Sequence, residues 1–149
     1  MTRYMLDTDT CSYIMKRSSE AVLNKLQTVA VAEVCISVIT KSELLFGVEI
    51  SPRQTQDATA LDAFLRHVDV MDFTDEAATH YARIRAALKK RGAMIGSNDL
   101  FIAAHARSLG FTLVTNNTNE FGRVEGLALE NWSVAPEEPQ AKPPSDDLS

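Results

Sequence analysis

The stretch YMLDTDTCSYIM, residues 4–15, sets how the rest of the chain is read. A short apolar run stops at Asp7, and after the oxygen-rich Thr8-Asp9-Thr10 a helical pattern begins. A run this short against a helix-start signal is a buried strand feeding a helix. The same alternation recurs along the chain, with strands predicted at 3–6, 33–36, 68–73, 112–115 and 127–130. Helices are predicted at about 10–16, 19–29, 38–49, 54–67, 75–91 and 98–109, with Gly92 and Gly110 where helices should stop. Strands alternating with helices define an α/β domain with a mostly parallel sheet.

The 149 residues suffice for one domain with an ordinary core, and the hydrophobic fraction of 45% with 23% charged residues is that of a globular protein. Asp7 and Asp9 interrupt any signal-peptide core, and no apolar run approaches a membrane span of about 20 residues. Cys11 and Cys35 show no metal-ligand or redox spacing and read as reduced structural thiols of a cytoplasmic protein. The fold is predicted to occupy 1–132. Residues 133–149 hold four of the five prolines and a charge of -3, and are predicted to be a disordered acidic tail.

The net charge of -5 argues at first against a nucleic-acid partner. The body carries only -2 of it, with 14 basic against 16 acidic residues, so acids gathered in one pocket would leave the remaining surface slightly positive.

Ligands of open parallel sheets collect at the carboxyl ends of the strands. Asp7 lies at such an end, Thr115 ends the fourth strand and Asn116, Asn117 and Glu120 follow it, Thr115, Asn116 and Asn117 being the candidate substrate-binding residues, and Glu43 and Asp99 would come from early helical turns facing the same edge. A cluster of carboxylates suits a hard cation such as Mg²⁺ or Mn²⁺. Each acid also has a structural reading. Asp7 serves equally as an N-cap, Asp9 as a cap or supporting group, and Thr40-Lys41-Ser42-Glu43 matches the T-x-x-E capping box. Asp99 would gain from the helix dipole, but Ile102, Ala103 and Ala106 place it on an inward stripe, where an uncompensated carboxylate is costly. Glu120, in a polar loop, would by default be solvated.

The segments YMLDTDTCSYIM, ISVITKSELLFGV (36–48), IGSNDLFIAAHA (95–106) and TLVTNNTNEFGRVEGLALENW (112–132) together resemble the PIN-domain ribonucleases, and among them the VapC-type toxins. The resemblance implies a three-layer α/β/α fold with a sheet of about five strands and a metal site formed by Asp7, Glu43 and Asp99. It implies an Mg²⁺- or Mn²⁺-dependent endoribonuclease in which activated water displaces the 3′ oxygen, leaving a 5′-phosphate and a 3′-hydroxyl. It further implies a cognate antitoxin, a homodimer and a structured RNA substrate, tRNA being the working choice. The chain departs from the family in the T-N-D segment, where Asn117 replaces the expected Asp and Glu120 is the nearest carboxylate, and at Asp9, where relatives usually carry Asn.

Other chemistries fit the residues less well. His67, His80 and His105 do not form the acid–base pair that a metal-free ribonuclease needs. Arg83, Arg85, Lys89, Lys90 and Arg91 offer a basic helix that either binds RNA or is simply a solvated face. LDTDT fits the D-x-D-x-T motif of haloacid-dehalogenase-type phosphatases, but GSND precedes TLVTNN, the wrong order, and Glu43 is left unused. A PIN-shaped interaction module without strong activity is the remaining alternative.

Overall fold

The computed structural model describes residues 3–134. The predicted tail therefore lies, from residue 135 onward, outside the described residues. Five strands form one parallel sheet in the order β3-β2-β1-β4-β5: β1 Tyr4–Leu6, β2 Val34–Ser37, β3 Asp69–Met71, β4 Thr112–Val114 and β5 Leu129–Glu130. The helices are α1 Thr8–Lys16, α2 Glu20–Leu26, α3 Val38–Glu49, α4 Gln54–Leu65, α5 Asp75–Arg91, α6 Ser97–Leu109 and the single turn α7 Thr118–Phe121.

The period-2 alternation of strands assigns the two faces of the sheet. Met5, Cys35 and Leu113 point to one side and pack with Ile84 and Leu88 of α5, Ile102 of α6 and Phe121 of α7. Leu6, Val34, Ile36 and Val114 point to the other, against Cys11, Val22, Leu44 and Leu61 of α1 to α4 and against Trp132. The result is the three-layer α/β/α architecture. Both faces of β1 are covered, which is why it reads as an unbroken apolar run.

All five strands and six predicted helices are present, with differences at their ends. Helix α1 starts at Thr8 rather than near residue 10, because Asp7 itself caps it, its carboxylate accepting from the Thr10 N–H at 2.9 Å. Ser19 caps α2, which ends at Leu26 and not near 29. Strand β3 is shorter than 68–73. Helix α7 replaces part of the loop expected after β4, held down by the buried Phe121. Gly92 and Gly110 end α5 and α6 in the left-handed conformation, as their positions predicted.

The capping box expected at Thr40 and Glu43 is absent. Ser37 caps α3 through the Ile39 N–H at 3.0 Å, which puts Thr40 and Glu43 inside the helix. Glu43 is thereby free of a capping duty.

The chain runs β1 to β2 to β3 in one direction across the sheet and then returns to place β4 beside β1. This reversal is a topological switch point, where parallel sheets leave a crevice. The Asp7 N–H donates to the Val114 carbonyl at 3.0 Å, so the ends of β1 and β4 are locked side by side at that crevice.

Candidate active site

Asp7 follows β1 directly, at the switch point between β1 and β4. Its side chain is buried, and burial pushes its carboxyl above the ordinary range, while hydrogen bonds from the Thr115 hydroxyl and the Thr10 N–H pull it partly back. Capping and site membership are therefore not alternatives for Asp7; one oxygen caps α1 and the residue still faces the crevice acids. Asp9 is exposed and does not cap the helix.

Asp99 enters from the third position of α6, whose next turns bury Ile102, Ala103 and Ala106 as the inward stripe predicted. Its carboxyl is pushed up to about 7, first by burial, then by a hydrogen bond shared with Glu120 and by the negative charges of Glu120, Glu43 and Asp7. Two carboxyl groups in hydrogen-bond contact must share a proton, since two carboxylates offer only acceptors. That proton stands where a cation would serve the same electrostatic need.

Glu120 is not the solvated loop residue its surroundings suggested. One of its oxygens accepts from the Gly96 N–H at 2.8 Å and the other from the Asn117 side-chain amide. Burial raises the Glu120 pKa, but these bonds, that with Asp99 and the Arg123 charge outweigh it and leave the group below its ordinary value. Asp99 and Glu120 close over the same backbone point: a Cβ placed on Gly96 would lie 3.6 Å from one Asp99 oxygen and 3.7 Å from one Glu120 oxygen.

Glu43 reaches in from α3. Its two oxygens are held by the Thr8 hydroxyl and, at 2.9 Å, by the Asn98 side-chain amide. Thr8 and Asn98 are contributors that sequence reasoning missed, although each is the neighbour of a crevice acid. Thr115 is fully buried and accepts from the Asn117 N–H at 2.9 Å, tying the end of β4 to the start of α7. Asn116 turns away and donates to the Tyr13 hydroxyl at 2.8 Å. Of the three residues expected to hold substrate, Asn117 alone touches a crevice acid other than Asp7, and Thr115 supports Asp7.

None of the four acids pairs with Lys or Arg among the described residues. As placed, no three His, Cys, Asp or Glu side chains of the described residues stand close enough around one point to hold a metal ion. Glu120, Glu43 and Asp7 are near enough to raise the Asp99 pKa, yet the acids are engaged with Thr8, Asn98, Asn117 and Gly96. The donor set is all hard oxygen, anionic, partly desolvated and without a basic partner, which fits a divalent cation of the Mg²⁺ or Mn²⁺ type once the Asp99–Glu120 proton has left. The histidines lie elsewhere. His105 is buried with Nδ1 2.8 Å from the Ser37 hydroxyl, and His80 accepts from Arg107.

The fold is that of a PIN domain, and the PIN domain pattern matches residues 4–127. The chain belongs to the PIN-domain family. Within that family it is similar to the VapC ribonucleases over nearly their whole length. It is 41% identical to Ribonuclease VapC2 of Haemophilus influenzae, covering 89% of this chain and 99% of the relative. It is 40% identical to the tRNA(fMet)-specific endonuclease VapC of Shigella flexneri, covering 89% and 100%. Among solved structures, VapBC2 from Rickettsia felis bound to a promoter DNA fragment superposes with a TM-score of 0.83 at 38% identity, covering 88% of this chain and 99% of that one.

Proposed function

We propose that this chain is the endoribonuclease toxin of a toxin–antitoxin pair, hydrolysing a phosphodiester bond of a structured RNA with Mg²⁺ or Mn²⁺ at the Asp7, Glu43, Asp99 and Glu120 crevice. The observation that carries the reading is the convergence of four acids, none in an ion pair among the described residues, at the switch point of a PIN fold. The similarity to a tRNA(fMet)-specific endonuclease supports initiator tRNA as the substrate.

Asp7 and Asp99 would be the direct ligands, with Glu43 completing the set and Glu120 the fourth corner in place of the acid that Asn117 lacks. When bound, the cation would supply a water of lowered pKa and neutralise charge on the phosphoryl oxygens. The chain's own part is placement. Thr8 and Asn98 fix the Glu43 carboxylate so that it can orient the attacking water, and Asn117 and the Gly96 N–H hold Glu120 against Asp99. Hydrolysis with departure of the 3′ oxygen leaves a 5′-phosphate and a 3′-hydroxyl.

The solved relatives from Rickettsia felis and Salmonella typhimurium are VapBC assemblies bound to DNA, which supports an antitoxin partner here, and a homodimer is part of the same proposal. An apolar groove of about 420 Å³ between α1, α2 and α4, lined by Ile14, Met15, Leu26, Val29 and Phe64 among others, suits an apolar segment of that antitoxin. Exposed Leu45 and Phe46 on α3, with Ile50 just after it, give a second apolar surface for a protein contact. No helix among the described residues is long and apolar enough to cross a membrane, and Cys11 and Cys35 are buried free thiols, consistent with action in the cytoplasm.

The test is cleavage of an initiator tRNA transcript by the purified chain. Cleavage is expected with Mn²⁺ or Mg²⁺ and none with EDTA. Undiminished cleavage in EDTA would overturn the metal-dependent reading.

A further inference from the structure

Four arginines from three parts of the chain converge beside the acid crevice. Arg83 and Arg91 of α5, Arg107 of α6 and Arg123 after α7 line a cleft of about 210 Å³, with Ile84 and Leu88 in its wall. Among the described residues none of these guanidinium groups lies within ion-pair distance of a carboxylate. Glu125 also lines the cleft, but it meets Arg107 through its backbone carbonyl.

Three of the arginines are pinned by neutral acceptors. Arg91 donates to the Arg123 carbonyl at 2.8 Å, and Arg123 to the Met94 carbonyl at 3.0 Å. Arg107 donates to the Glu125 carbonyl and to His80 Nδ1, both at 2.9 Å. These bonds orient the guanidiniums without cancelling their charge, and each arginine, with five N–H donors, keeps others open. Four oriented cations without an ion pair around one cleft, of which Arg123 alone also acts on a nearby acid, Glu120, are a receptor for a polyanion.

The cleft is joined to the crevice by the loop between α5 and α6. Arg123 holds that loop at Met94, and Glu120 holds it two residues further on at Gly96. Arg83 and Arg91 are eight residues apart on α5, so the basic track extends about 12 Å from this junction. We infer that the Arg83, Arg91, Arg107 and Arg123 cleft binds consecutive backbone phosphates of the RNA and feeds the adjoining bond to the acid crevice. This rests on the ribonuclease reading above and adds where the strand lies. It also separates Arg83 and Arg91 from the other basic residues of α5, which need only be solvated.

The test is fluorescence anisotropy of a labelled initiator tRNA transcript with the full chain in EDTA, over a range of salt, so that binding is read apart from cleavage. The double variant R83Q/R91Q should bind about tenfold more weakly, with the salt slope reduced by about one for each phosphate no longer neutralised. R83K/R91K should recover most of the affinity, which a purely structural role for the arginines would not allow. K25Q/R66Q, removing two charges remote from the cleft, should bind like the parent. Should R83Q/R91Q be poorly folded, R83Q alone decides, since Arg83 is exposed and makes no hydrogen bond among those of the described residues. Equal affinity and salt slope for parent and R83Q/R91Q would overturn the inference, as would unchanged RNA binding with loss of antitoxin binding, which would give the cleft to a protein. Weakened binding by R83Q/R91Q in a chain that cleaves no RNA with Mn²⁺ would leave the cleft standing and remove the ribonuclease reading.

Discussion

Asp99 is the residue on which the proposed chemistry and the stability of this protein meet. Its folded-state pKa of about 7 lies well above the ordinary carboxylate value, so between roughly pH 4 and 7 the folded state holds a proton that the unfolded state has released. Stability must therefore fall as pH rises through that window and stay lower above it. In EDTA, Asp99→Asn, which can donate to Glu120 as the protonated acid does, should melt at a higher temperature than the parent at pH 8, with the difference closing toward pH 4. A lower melting temperature for the variant at pH 8 would refute the shared-proton arrangement. Asp9 gives the opposite expectation. It is exposed and outside the crevice contacts, so Asp9→Asn should keep RNA cleavage within about twofold. A phosphatase using Asp7-x-Asp9 would be abolished by the same change.

Much of the candidate site at this level was legible in the sequence, because an acid alone among apolar residues is conspicuous. Asp7 and Asp99 stood out for that reason. Glu120 did not, since a Glu among Thr, Asn and Gly looks solvated, and only the packing of α7 against the Gly96 loop shows its contacts. Thr8 and Asn98 resemble ordinary helix-start residues, and their bonds to Glu43 join positions 35 and 55 residues apart in the chain.

Among the elements, α3 decides how Glu43 is to be understood. A Thr at 40 and a Glu at 43 satisfy the capping-box pattern, but the helix begins three residues earlier because Ser37 ends β2 and caps in the same step. Thr40 is left fully buried with a hydroxyl that has no partner. Ser37→Ala should then cost about 1–2 kcal/mol in urea denaturation, removing both the cap and the contact with His105. Thr40→Val should be neutral or stabilising by up to about 1 kcal/mol. The reverse order of these two effects would restore the capping box. Strand and helix identity were legible because both faces of β1, β2 and β4 are buried and their apolar runs are uninterrupted. Element ends were less so, since each depends on which of several adjacent oxygen-bearing side chains takes the cap.

For the molecule as a whole, the parallel sheet gathers residues from four separated segments at one switch point and sets a basic cleft beside an acidic crevice. This division explains how a chain of net charge -5 can act on a polyanion: the acids are concentrated where a cation would neutralise them, and the arginines of the cleft form no ion pairs among the described residues. Cleavage should accordingly weaken steeply with salt through the RNA-binding step.

Metal-dependent hydrolysis at the acid crevice is tested by sequencing and chemically identifying the RNA ends produced by the parent chain, Asp7→Asn and Asp99→Asn, each with Mn²⁺ and with EDTA. The parent with Mn²⁺ should give 5′-phosphate and 3′-hydroxyl ends, and either variant, or EDTA, should reduce cleavage by at least about a hundredfold. A 2′,3′-cyclic phosphate product, or full cleavage by either variant, would show that the crevice does not work in this way.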